Sequence, residues 1–187
     1  MLAGLKRDAQ ERVGEALSDA DIREHLPKAK ILKYSELSKS ATLFDVLPLV
    51  RDYCFILYED SVNRGHWTVI SRPEDGVVEY FDSYGGPPDA PLRWTCRERR
   101  VGLGEGRPWL SILLEDALRD ELVDSVVYNK RKYQSDSHAV ANCGRWCVLR
   151  TLKMLEGFDL DEFSKFVTAR CRQLRMNPDE CVTTLIV

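Results

Sequence analysis

The sequence predicts an α+β fold: a central, mostly antiparallel sheet flanked by helices, with a cysteine at the N-terminus of one helix. Three observations lead to it. The runs Tyr53–Tyr58, His66–Ser71 and Val77–Asp82 are rich in β-branched, aromatic and other apolar residues, and turn formers bound them, so they read as strands. The stretches after Pro108 and after Cys143 place apolar residues at helical intervals. The order along the chain is helices, strands, a helix, a strand and then helices, with no repeat and no linker. One domain over 1–187 is expected, with a helical N-terminal part at 1–50 and a core at 51–187.

Leu2 to Leu17 reads as a charged helix of weak amphipathicity, and Ser18-Asp19-Ala20-Asp21 as a capping box opening a short helix that ends at Pro27. Ile31–Tyr34 is a short strand and Thr42–Leu47 a helical turn closed by Pro48. Tyr53–Tyr58 is nearly all apolar, as a buried central strand is. Arg72-Pro73-Glu74-Asp75-Gly76 makes a hairpin of the next two strands. Ser83–Pro88 is a loop, Pro108–Leu122 a helix and Val123–Tyr128 a strand. The helix of Cys143 runs to about Glu156, Gly157 ends it, and Phe158–Leu174 continues as helix.

Bulk properties narrow the function classes. A net charge of −3 gives no reason to expect nucleic-acid binding, and Arg97-Glu98-Arg99-Arg100 reads as a solvated surface. The six cysteines include no CxxC pair and no zinc set, so they read as free thiols of a reducing, intracellular compartment. The first residues lack the apolar stretch of a signal peptide, and no run reaches the length of a membrane span. Gly102–Gly106 lacks the lysine and hydroxyl residue of a phosphate loop.

Chemistry concentrates at Cys143. A polar run ending in Asn142 feeds into the pattern Trp146, Val148, Leu149, Leu152, Leu155, which puts Cys143 in the first turn of a helix. The partial positive charge there favours the thiolate, the nucleophilic form. If Ser71 faces Val77 across the hairpin, then Trp67 faces Phe81 and His66 faces Asp82. The Asp82 carboxylate then holds one ring nitrogen of His66, leaving the other for a thiol proton. A one-residue slip would put the two on opposite faces. His138, five residues from Cys143, is a rival base in a polar loop, and Asp82 has the plainer alternative of capping a turn with Ser83.

Gly65-His66-Trp67, Phe81-Asp82-Ser83-Tyr84-Gly85, Gln134 and Cys143-Gly144-Arg145, in this order, resemble the motifs of the adenovirus-type endopeptidases and the related ubiquitin-like-protein proteases. The resemblance covers roughly Tyr53 to Leu155, and within the family the chain looks most like the maturation proteases of virophages and Polinton-type elements. It implies a papain-like cysteine protease fold. It implies Cys143 as nucleophile, His66 as base, Asp82 as its orienting carboxylate and Gln134 as an oxyanion donor. Trp67 would pack beside the imidazole and Gly144 would allow close approach at the helix start, both along a narrow substrate channel. The resemblance implies no metal or organic cofactor.

Gln134 lies nine residues before Cys143, further than the family's pattern, so Asn142 or the Cys143 backbone N–H are alternative donors. The implied activity is a cysteine endopeptidase cutting after small residues, Gly above all, in viral capsid or core precursors. The implied settings are the host cytoplasm or nucleus and the virion. Peptide and DNA activation occur in the family; a peptide activator stays open here, and the acidic balance argues against strong nucleic-acid affinity. The other readings are an isopeptidase acting on ubiquitin-like tails, an acyltransferase on the same scaffold, and an inactive binding module.

Overall fold

The computed structural model describes residues 2–187; Met1, the first residue of the expected N-terminal part, lies outside them. A five-stranded sheet runs in the order β1 (Lys30–Lys33), β2 (Tyr53–Ser61), β3 (Arg64–Ser71), β4 (Val77–Phe81) and β5 (Ser125–Tyr128). Its centre is antiparallel as expected, through β2–β3 and β3–β4. Its two outer pairs, β1–β2 and β4–β5, are parallel. Parallel neighbours need long crossovers. Tyr34–Lys39 and Leu43–Asp45 supply helical turns in one of these; α3 (Arg97–Gly102) and α4 (Trp109–Arg119) lie in the other.

The remaining helices are α1 (Leu2–Arg12), α2 (Asp19–His25), α5 (Cys143–Leu155), α6 (Leu160–Leu174) and α7 (Pro178–Leu185). β2 is apolar from Tyr53 to Tyr58 because both of its faces are covered there. Phe55 and Leu57 pack with Trp146, Val148 and Phe163 from α5 and α6. Cys54, Ile56 and Tyr58 pack with Leu110, Leu113 and Leu114 from α4. One charged pair is sealed into the first layer: Glu79 of β4 accepts two hydrogen bonds, each 2.6 Å, from Arg150 of α5.

Two helix boundaries and two further helices differ from expectation. The N-terminal helix stops at Arg12, and residues 13–18 form an irregular strap before the Ser18 capping box starts α2. Asp159 caps α6, so that helix begins at Leu160 and not Phe158. Two helices were not expected at all, α3 on the arginine-rich run and α7 after Asn177-Pro178. Gly157 does end the Cys143 helix, with φ +93°.

The hairpin register also differs. Val69 pairs with Phe81, Ile70 with Tyr80 and Ser71 with Glu79, two places away from the expected pairing. Continued, this register sets Asp82 opposite Thr68 and diagonal to His66. Side chains alternate with a period of two, so the shift keeps His66 and Asp82 on one face.

Candidate active site

His66 stands near the start of β3 and Asp82 just past the end of β4, both buried. The diagonal is short enough for His66 Nε2 to meet Asp82 Oδ1 at 2.8 Å. The backbone N–H of Tyr84 donates to the same Oδ1 at 2.9 Å. The Asn129 side chain fastens the backbone of Asp82, accepting from its N–H at 2.9 Å and donating to its carbonyl at 2.6 Å. Asp82 is thus fixed by its neighbours before it fixes His66.

Cys143 is the first residue of α5, whose first turn carries no acidic residue. The His66 ring and the backbone N–H groups of Trp67 and Gly144 lie close enough to its sulfur to favour the thiolate as donors. With Nε2 engaged by Asp82, the ring nitrogen left for the sulfur is Nδ1. Burial alone would push the Cys143 thiol up; the charge of His66 and these three donors outweigh it and hold the thiol below its ordinary value. Burial likewise opposes charge on His66, but the Cys143 sulfur and the Asp82 carboxylate raise the imidazole to about 10. Opposite shifts on touching partners favour a thiolate–imidazolium pair.

The other expected residues take distinct places. Trp67 is buried, and its indole N–H donates to the Leu17 carbonyl at 3.0 Å. Gly144 sits where a Cβ would lie 3.1 Å from Leu17 Cβ and 3.2 Å from Trp67 Cδ1, which accounts for glycine there. Gln134 is buried beside the end of β4: its Oε1 accepts from Ser83 Oγ at 2.8 Å, and its Nε2 makes only a 3.5 Å contact to the Val140 carbonyl. Asn142 does not serve as the alternative donor, because its Nδ2 is committed to Asp179 at 3.1 Å. The rival base His138 lies exposed in the loop before α5. Cys147, one turn after Cys143, is buried against the Trp67 carbonyl, and burial pushes its thiol well up.

Two features escaped the sequence reading. Trp94, 55% exposed, stands edge-to-face on His66 with ring centroids 4.8 Å apart, and Tyr84 covers another side at 5.2 Å. The strap at 13–18 closes the opposite side of α5: Val13 accepts from the Ala141 N–H at 2.9 Å, and the Glu15 carbonyl accepts from Arg145 Nη1. Between the strap and the strands lies a cavity of about 580 Å³ lined by Leu17, Asp19, Lys33, Leu57, Arg64 and Trp67, among others.

No protein-family model matches the chain. It is 38% identical over 173 residues to uncharacterized protein V9 of Sputnik virophage, across 92% of this chain and 94% of V9. Among solved structures it is similar to the ASFV pS273R protease, with TM-score 0.50 and 13% identity over 91% of this chain and 67% of that one. A further similarity, of TM-score 0.41 and 17% identity, is to the central domain of the uncharacterized Lpg1148 protein from Legionella pneumophila, over 91% of this chain and 98% of that one. The likeness to pS273R is one of fold, an α+β sheet flanked by helices. Identity at this level over nearly the whole of both sequences makes the chain a member of the family of virophage protein V9.

Proposed function

We propose that this chain is a cysteine endopeptidase of the adenovirus-protease type, one domain over residues 1–187, with Cys143 as nucleophile. The observation that carries the reading is the set at Cys143: a thiol at a helix start, beside a histidine held from behind by a buried carboxylate at 2.8 Å, in surroundings that favour the thiolate. In the first step the Cys143 thiolate attacks the scissile carbonyl carbon. The His66 imidazolium gives its Nδ1 proton to the departing amine as the C–N bond breaks, leaving a thioester on Cys143. Neutral His66 then takes a proton from the water that attacks the thioester, and the C–S bond breaks to release the acid and restore the thiolate–imidazolium pair. Asp82 keeps the ring oriented and supports its charged form.

The Cys143 backbone N–H and the Gln134 side-chain amide are the proposed donors to the oxyanion, the latter because its present contact to Val140 is long. The fold shared with pS273R and the kinship with a virophage protein support viral precursor proteins as the substrate class. Cleavage after small residues follows from the resemblance of the motifs. The proposed setting is the infected cell and the virion, which the kinship with a virophage protein supports; among the described residues no helix is long and apolar enough to cross a membrane.

The test is the rate at which iodoacetamide modifies Cys143, read by mass spectrometry of its peptide across pH, in the wild type and in His66→Ala. The wild-type thiol is expected to titrate well below the free-cysteine value of ~8.5, with the variant returning toward it. A wild-type profile at the free value, unmoved by the substitution, would overturn the reading. Cleavage of peptides carrying Gly before the scissile bond then separates a peptidase from an acyltransferase, which would move acetyl from coenzyme A to protein without cleavage.

A further inference from the structure

The eight residues between Gln134 and Cys143 pose a geometric problem for the proposed chemistry. A donor and a nucleophile that must address one carbonyl sit at the two ends of a loop whose middle, Asp136 to Ala139, is exposed. One side chain ties both ends. The Asp179 carboxylate, near the start of α7 and buried, accepts from the backbone N–H of Ser135 at 3.1 Å and from the Asn142 Nδ2 at 3.1 Å. Ser135 follows Gln134, and Asn142 precedes Cys143. The Asp179 carbonyl adds a second contact to the same Asn142 amide at 3.4 Å.

The cost of this arrangement is visible on Asn142. Asn142 is fully buried, and with its donor half turned to Asp179 its Oδ1 has no hydrogen-bond partner among the described residues. It stands at the N-cap position of α5 yet makes no side-chain cap bond. A helix start of this kind usually has its asparagine accept from the first turn, which stabilises the helix. Here that bond is absent, and the side chain reaches across to another helix. Buried polar groups left without partners are uncommon in folded proteins.

We propose that Asp179 is a positioning residue: it sets the separation between the Gln134 amide and the Cys143 sulfur by stapling the two ends of the loop that joins them. This rests on the peptidase reading above. Asp179 touches neither His66 nor Asp82, so it acts on the oxyanion side of the site and not on the charge state of the thiol. Its loss therefore slows reactions that pass through a tetrahedral oxyanion and spares those that do not.

Two small reagents make that distinction without a natural substrate. Acylation of Cys143 by p-nitrophenyl acetate passes through a tetrahedral oxyanion; alkylation by iodoacetamide is a direct displacement at carbon. In Asp179→Ala the acylation rate is expected to fall about tenfold or more, as for partial loss of an oxyanion donor. The alkylation profile is expected to stay within twofold of the wild type. Asp179→Asn keeps one of the two acceptor oxygens and loses the other, so it should show a smaller slowing confined to acylation, and it serves if the alanine variant does not fold. Glu180→Gln is the control on the same helix, since Glu180 bonds Gln10, Lys6 and the Asn177 N–H of its own helix cap, from which Gln can still accept, and not the loop; its acylation rate should be unchanged. Equal slowing of both reactions in Asp179→Ala and Asp179→Asn, or no slowing of either, would overturn the proposal. Failure of the peptidase reading shows separately, as a wild-type thiol that titrates at the free value.

Discussion

Replacing Asp82 with Asn tests the electrostatics of the site with the smallest change of shape. Asp82 Oδ1 holds His66 Nε2 at 2.8 Å, while Oδ2 is buried with no partner among the described residues, under Gly86. An Asn that keeps its oxygen toward His66 puts an amide NH₂ in that unpartnered place and removes the negative charge. A hydrogen bond to a charged group contributes about 1.5–3 kcal/mol, against about 1 kcal/mol for a neutral one. The charged imidazole therefore loses roughly 1–2 kcal/mol of support, a factor of about 5–30 in its population.

Because His66 is raised to about 10 in the wild type, its charged form persists until pH climbs through that value. In Asp82→Asn the loss begins about one pH unit earlier. The thiolate, held below the ordinary thiol range chiefly by the His66 charge, correspondingly disappears at a higher pH on acidification. The window in which both partners are charged narrows from both sides. Alkylation of Cys143 from pH ~4 to ~11 reads this directly, and turnover of a Gly-containing peptide should fall by about 10²-fold or more, since the carboxylate also fixes the ring. Superimposable alkylation profiles for Asp82→Asn and the wild type would refute the reasoning.

Three further outcomes are expected. Trp94→Ala uncovers the imidazole and forfeits an edge-to-face contact of about 0.5–1.5 kcal/mol, so peptide kcat/KM should drop roughly two- to tenfold while Trp94→Phe retains most of it. Gly144→Ala drives a methyl against Leu17 and against Trp67, whose indole is pinned to the Leu17 carbonyl; a loss of about 1–3 kcal/mol follows, measurable as a thermal midpoint lower by ~3–10 °C. Glu79→Gln leaves the Arg150 guanidinium buried without its counter-charge and should cost about 3–5 kcal/mol in urea unfolding, whereas replacing both by methionine should cost much less.

The sequence carried the strands, the main helices and the order of the site motifs, because burial on one or both faces writes itself into the apolar pattern. Register was harder. The turn cluster Arg72–Gly76 invites pairing of its immediate flanks, but Arg72 bonds the carbonyls of Leu47 and Pro48, and the ladder closes only at Ser71 and Glu79. The face of His66 and Asp82 survived the two-place error only because side chains alternate with a period of two. α7 was legible and passed over: Asn177-Pro178-Asp179-Glu180 has the cap, the proline and the glutamate that open a helix. The reach of Asp179 to Asn142 was not legible, since no local pattern relates residues 37 positions apart. Trp94 was hidden for the same reason, lying at the end of a short 3₁₀ turn with no periodicity to mark it.

Arg145, two residues after the thiol, is held by the Glu15 carbonyl 130 positions before it and by the Ile186 carbonyl 41 positions after it. A polypeptide emerging from the ribosome therefore carries Cys143 for some time before it can seat the helix that bears it. Contacts this distant along the chain form late, once the entropy of closing long loops has been met. On the peptidase reading proposed above, the Ile186 anchor of the helix that bears the thiol forms only after residue 186 has been made.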